Sequence, residues 1–74
     1  MTAIIRPLGM LKSYIGDLKE ATVESGLPVG EAITRLGIDP QLVAGVFVND
    51  EQQGKDYILQ DGDFVKLLAV IGGG

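Results

Sequence analysis

Few residues in this 74-residue chain have side chains suited to chemistry, and the sequence points to its last three residues, Gly72-Gly73-Gly74. There is no Cys and no His, which removes thiol nucleophiles, disulfides, structural zinc and the usual imidazole acid-base catalyst together. Carboxylates, lysines and the chain terminus remain. A run of apolar residues ending in three glycines presents a carboxylate on a stalk. Glycine has no Cβ, so it passes through a channel too narrow for side chains and leaves its carboxyl carbon open to an attacking group. On this reading Gly74 is the working end, Gly73 its neighbour and Gly72 part of the thread. Three terminal glycines also suit a frayed end, so the preceding stretch has to decide.

Other constellations offer less. Asp61 and Asp63 are spaced like a paired-carboxylate or metal site, but Asp-Gly-Asp without a third type of ligand reads as a turn. Asp50-Glu51 reads the same way. The terminal glycines precede no helix and no Lys-Ser/Thr pair, so they do not form a phosphate-binding loop. Tyr14 and Tyr57 read as packing residues, since no basic cluster accompanies them. The sequence therefore predicts no catalytic centre, no bound cofactor and no metal, and a chain that is not itself an enzyme.

The size allows one domain. A chain this short buries only about 60 to 65% of the surface it exposes when unfolded, which leaves one core and no internal pocket. With 46% hydrophobic and 22% charged residues, the composition is that of a globular chain. No stretch approaches the roughly 20 apolar residues of a membrane span, and the first residues lack the build of a signal peptide; a cytoplasmic protein that engages no membrane is expected. The net charge is −4, and its six basic residues, Arg6, Lys12, Lys19, Arg35, Lys55 and Lys66, are scattered. That distribution argues against nucleic acid and suits a protein partner with a basic docking face.

Elements that could carry the tail follow in order. Thr2 to Arg6 is a β-branched run stopped by Pro7, a first strand. Leu8 to Gly16 places Leu8, Leu11 and Ile15 at helical spacing between glycines, enough for a short turn or a single helical turn. Lys19 to Glu24 alternates as a second strand, antiparallel to the first. The period then changes: Pro28, Glu31 and the stripe of Val29, Ile33 and Leu36 predict a helix over 28–37. Gly37 and Ile38 would cap it before Asp39-Pro40. Leu42 to Val48 is a strand, Asn49 to Gly54 a polar turn, and Asp56-Tyr57-Ile58 a very short strand or turn, with Leu59 in the core. Phe64 to Val70 follows the Asp61-Gly62-Asp63 turn as the last strand. The expected architecture is α+β, one mixed sheet of four to five strands with one main helix across one face. Residues 1–71 form the domain and 72–74 a flexible glycine tail.

A single helix leaves the other sheet face uncovered. Alternation along the last strand sends Val65, Leu67 and Ala69 toward the helix and Phe64, Lys66 and Leu68 away from it. These last three are expected to form an apolar docking patch around a lysine, leading toward the tail.

The string Leu59-Gln60-Asp61-Gly62-Asp63-Phe64-Val65-Lys66-Leu67-Leu68, continuing through Ala69-Val70-Ile71 into Gly72-Gly73-Gly74, resembles the C-terminal signature of the ThiS/MoaD family of ubiquitin-like sulfur carriers. Val46-Phe47-Val48-Asn49-Asp50 resembles the strand and turn preceding that signature. The resemblance implies a β-grasp fold and a mechanism. An E1-like adenylyltransferase of the ThiF/MoeB type would bind the patch, take the tail into its site and adenylate the Gly74 carboxylate with ATP. The product would become a thiocarboxylate, whose sulfur passes to a synthase: thiazole synthase in thiamin synthesis or the molybdopterin synthase large subunit. The third glycine, Gly72, departs from the usual terminal pair, so the mature end is Gly74 or Gly73. The approach Ala69-Val70-Ile71 lacks the Pro-Pro often seen in molybdopterin carriers and leans toward thiamin. A ubiquitin-like modifier joined to target lysines through its terminal glycine is the alternative, and an interaction module with an inert tail is a third reading. From Ala69, the last six residues span at most about 20 Å, enough to reach a buried adenylation site.

Overall fold

The computed structural model describes residues 1–16 and 18–70. Five strands form one mixed sheet: β1 (Thr2–Pro7), β2 (Ala21–Glu24), β3 (Val43–Val48), β4 (Glu51–Gln53) and β5 (Phe64–Ala69). Their spatial order is β2-β1-β5-β3-β4. β1 and β5 run parallel side by side, with Ile4 opposite Phe64 and Arg6 opposite Lys66; the other neighbours are antiparallel. The first and last strands of the chain are therefore neighbours, and β5, the strand that precedes the tail in sequence, lies in the middle of the sheet.

The α-helix α1 (Val29–Arg35) supplies Val29, Ala32 and Ile33 to a core completed by Ala3, Ile5, Val46, Val65 and Leu67. Seven residues are too few for a helix that is stable alone, so burial and its ends must hold it. Pro28 is the N-cap and offers no side-chain bond. The first amides bond to a neighbouring loop instead, Val29 to the Tyr57 carbonyl and Gly30 to that of Lys55, both at 2.8 Å. At the other end Gly37 takes φ 84°, and its amide and that of Ile38 bond to the Thr34 and Ile33 carbonyls. This is the αL cap expected from Gly37-Ile38. Helix, sheet order and the single covered face together form the expected β-grasp architecture.

Several boundaries differ from the expectation. The helix is shorter than 28–37 because Pro28 and Leu36 are its caps. The second strand begins at Ala21 rather than Lys19, where pairing with Ile5 starts. β1 stops at Pro7 as expected, but includes it as its last residue, buried opposite Leu67. The missing proline amide costs nothing there because the Leu8 amide continues the ladder, bonding to the Leu67 carbonyl at 3.0 Å. The ambiguous stretch after it is a 3-10 helix, Gly9–Ile15, pinned by the fully buried Leu11. The Asn49–Gly54 stretch is not all turn: Asn49 and Asp50, both with positive φ, join β3 to β4 in a tight hairpin. The segment around Ile58 makes one bridge with Pro28, and Leu59 is buried as expected. β5 ends at Ala69 rather than Val70. The proposed domain limit at residue 71 and the glycine tail lie outside the described residues.

A candidate docking face along the last strand

β5 places the three patch residues where alternation put them. Val65 and Leu67 are fully buried under α1, while Phe64 and Lys66 are half-buried and Leu68 is exposed on the opposite face. The sheet register joins them to residues that strand alternation in β5 alone could not supply. Ile4 lies beside Phe64, and Arg6, Lys66 and Phe47 form one row across three strands. Gly45 sits opposite Leu68; a Cβ there would stand 3.4 Å from the Phe47 ring and 3.6 Å from Leu68. The two side chains thus lean over a glycine and form one apolar surface. Arg6 and Ile4 could have been read from the alternation of β1. Phe47 could not, because a register shift between Val43 and Gly45 breaks the parity of β3: Val43, Val46 and Val48 all face the core.

Beyond this surface, at the tail end of β5, lies an open apolar groove of about 410 Å³ lined by Leu8, Gly9, Ala44, Leu68 and Ala69. The Val70 amide bonds to the Leu42 carbonyl at 2.9 Å, so the chain is tied down one residue past β5, next to the groove. Gly72, Gly73 and Gly74 lie outside the described residues.

The opposite end of β5 is fixed by Asp63, the one buried charged residue among those described. Its carboxylate accepts from the Asn49 side-chain amide at 2.9 Å, the Tyr57 hydroxyl at 2.8 Å and the Gln60 amide at 2.8 Å. Asn49 in turn accepts from the Phe64 amide through Oδ1 at 3.0 Å. Burial pushes the Asp63 carboxyl up, but the bonds from Gln60, Tyr57 and Asn49 outweigh it and leave the group below its ordinary value. The Tyr57 hydroxyl is raised, first by its bond to Asp63, then by burial and the charges of Asp63 and Glu51. Asp61 turns outward and accepts from the Thr2 amide at 3.0 Å. The two aspartates are therefore separate structural acceptors, and no group of metal-ligating side chains occurs among the described residues.

The profile of the ThiS family matches residues 9–74, the Asp-Gly-Asp turn, β5 and the terminal glycines included. The chain belongs to the ThiS family. Solved structures agree in fold. SAMP1 from Haloferax volcanii superposes with a TM-score of 0.69 at 19% identity, over 100% of both chains. A complex of subunits 1 and 2 of the molybdopterin-converting factor from Helicobacter pylori 26695 contains a match with a TM-score of 0.61 at 17% identity, again over 100% of both chains. Urm1 from Trypanosoma brucei gives a TM-score of 0.64 at 20% identity, over 99% of this chain and 95% of that one. Comparison with curated proteins finds no match. For a ThiS-family chain, the geometry puts an uncovered apolar face and a groove immediately before the residues that carry the family's terminal glycines. No helix among the described residues is long and apolar enough to cross a membrane.

Proposed function

We propose that the chain is a cytoplasmic sulfur carrier and not itself an enzyme. The observation that carries this reading is the ThiS-family match running through Gly74, on a fold whose uncovered face adjoins the start of the tail. A ThiF/MoeB-type adenylyltransferase docks on Phe64, Lys66 and Leu68 and receives the tail. From Val70, four further residues reach at most about 14 Å, so the body stays outside while the terminus enters the enzyme's site. A Gly74 carboxylate oxygen attacks the α-phosphate of ATP and expels pyrophosphate. A sulfide-level sulfur nucleophile then attacks the acyl carbon, the bond to AMP breaks, and AMP leaves a thiocarboxylate. Glycine at this position leaves that carbon unhindered for the attack by sulfur.

The molybdopterin-converting factor complex among the structural neighbours supports a synthase subunit as the sulfur acceptor. Thiazole synthase fills the same role in the thiamin pathway, toward which Ala69-Val70-Ile71 inclines. Incubation with a competent activating enzyme, ATP and a sulfur donor should replace one terminal oxygen by sulfur in the intact mass. Deletion of Gly74, and then of Gly73-Gly74, identifies which glycine reacts. An unchanged mass with an enzyme that thiolates its own carrier would refute the proposal, and isopeptide adducts on target lysines would assign the chain to the modifiers instead.

A further inference from the structure

The centre of the uncovered face has a sign opposite to that of the whole chain. The chain carries −4 overall, yet the row across β1, β5 and β3 reads Arg6, Lys66, Phe47, continuing to Gln52 on β4. The two cations are not equivalent. Lys66 Nζ lies 3.5 Å from Asp50 Oδ1, so its charge is partly answered within the chain. Arg6 has no ion-pair partner within 4.0 Å among the described residues. Arg6 is half-buried, two residues along β1 from Ile4 and one strand from Lys66, and its guanidinium favours a planar, two-oxygen acceptor, because its fork of donors fits a carboxylate in bidentate fashion.

The second observation is the groove. It is open and apolar, with a volume of about 410 Å³, room for an apolar side chain from a docked surface. Leu68 belongs both to its lining and to the face. Lys66, in the row with Arg6, precedes Leu68 by two residues, so the cationic row and the groove are about 7 Å apart along the strand.

We propose that the activating enzyme meets this face with a carboxylate opposite Arg6 and an apolar side chain seated in the groove of Leu8, Gly9, Ala44, Leu68 and Ala69. The inference rests on the carrier reading above and adds the chemistry of its partner. Arg6 sets specificity, since an apolar face alone accepts any greasy surface, whereas a desolvated guanidinium rejects one that lacks an acceptor. The groove fixes the register of docking at the end of β5, beside Ala69.

The test is steady-state adenylation, read as pyrophosphate release, with the ThiF/MoeB-type enzyme of the same organism. Arg6→Glu should raise KM for the carrier about tenfold or more with kcat nearly unchanged, and Arg6→Lys should recover much of the loss. Ala44→Glu, which puts a charge in the groove from an exposed position, should also raise KM about tenfold. Arg35→Glu makes the same charge change on α1, away from the face, and should leave KM within about twofold. Raising the salt should weaken the wild type more than Arg6→Gln, a neutral variant that serves if Arg6→Glu fails to fold. Wild-type adenylation with an Arg6 series no different from Arg35→Glu, or with an indifferent Ala44→Glu, overturns the inference alone. A wild-type chain that is never adenylated overturns the carrier reading and this inference with it.

Discussion

Asp63 shows what a single residue does in this fold and why its role was hidden. In the sequence, Asp-Gly-Asp reads as a turn, and it is one: Gly62 takes φ 86°. The burial of Asp63 depends on Asn49 and Tyr57, fourteen and six residues away, and no local pattern announces partners at that distance. The carboxylate holds the β3–β4 hairpin, the Tyr57 loop and the start of β5 together. Replacing it by Ala leaves its donors without an acceptor, a cost of about 1 to 3 kcal/mol for each buried group so orphaned. Its pH dependence has a definite sign. The folded carboxyl titrates below the ordinary value of 3.8, so around and below that value the unfolded chain binds more protons than the folded one. The stabilisation is fully present above the unfolded value and is lost as the pH falls through the lower folded one. Thermal melts from neutral pH downward should therefore show a steep acid limb in the wild type and a shallower one in Asp63→Asn. Parallel acid limbs would show that Asp63 does not govern this transition.

At the scale of elements, what could be read from sequence was periodicity and stop signals, and what could not was structure imposed by a neighbour. Apolar spacing reveals α1 and β5, β-branched residues reveal β3, and Gly37 followed by Ile38 and Asp39-Pro40 reads as the cap. β4 did not: Glu51-Gln52-Gln53 has no apolar alternation and is a strand only because the Asn49-Asp50 turn lays it against β3. The 3-10 helix likewise owes its length to burial of Leu11 rather than to propensity. The Gly37 cap allows a clean separation of two effects. A Cβ added there meets nothing within 4 Å, so Gly37→Ala introduces backbone strain and no clash. The αL conformation costs a non-glycine residue about 1 kcal/mol, and for a domain this size about 1 kcal/mol lowers Tm by roughly 4 to 8 °C. Calorimetry on Gly37→Ala should find a loss in that range, and an unchanged Tm would mean that the cap does not hold α1.

Across the described residues the sheet has two unlike faces, one that carries the core and one that carries the proposed docking surface. One face is sealed by α1 and carries the core; the other carries Ile4, Arg6, Phe47, Phe64, Lys66 and Leu68 and ends beside the groove. The sequence revealed the division along β5, where alternation is unbroken, but not its full width, because the neighbours of β5 are fixed by a parallel pairing across the length of the chain and by a register shift in β3. Substitutions should sort by face. Leu67 is fully buried while Leu68 is 39% exposed, so adjacent residues of the same type make the comparison internally controlled. Leu67→Ala should cost about 2 to 5 kcal/mol and unfold a large fraction of so small a domain. Leu68→Asp removes only partly exposed apolar surface and should change stability by about 0.5 kcal/mol or less. The same change puts a carboxylate on the surface proposed for the activating enzyme, next to the groove and across from Gly45. Its adenylation should therefore fall well below that of the wild type at equal folded concentration, with the loss in KM rather than kcat. If Leu68→Asp is adenylated as efficiently as the wild type, the uncovered face is not where the enzyme docks, and the tail alone is the recognised feature.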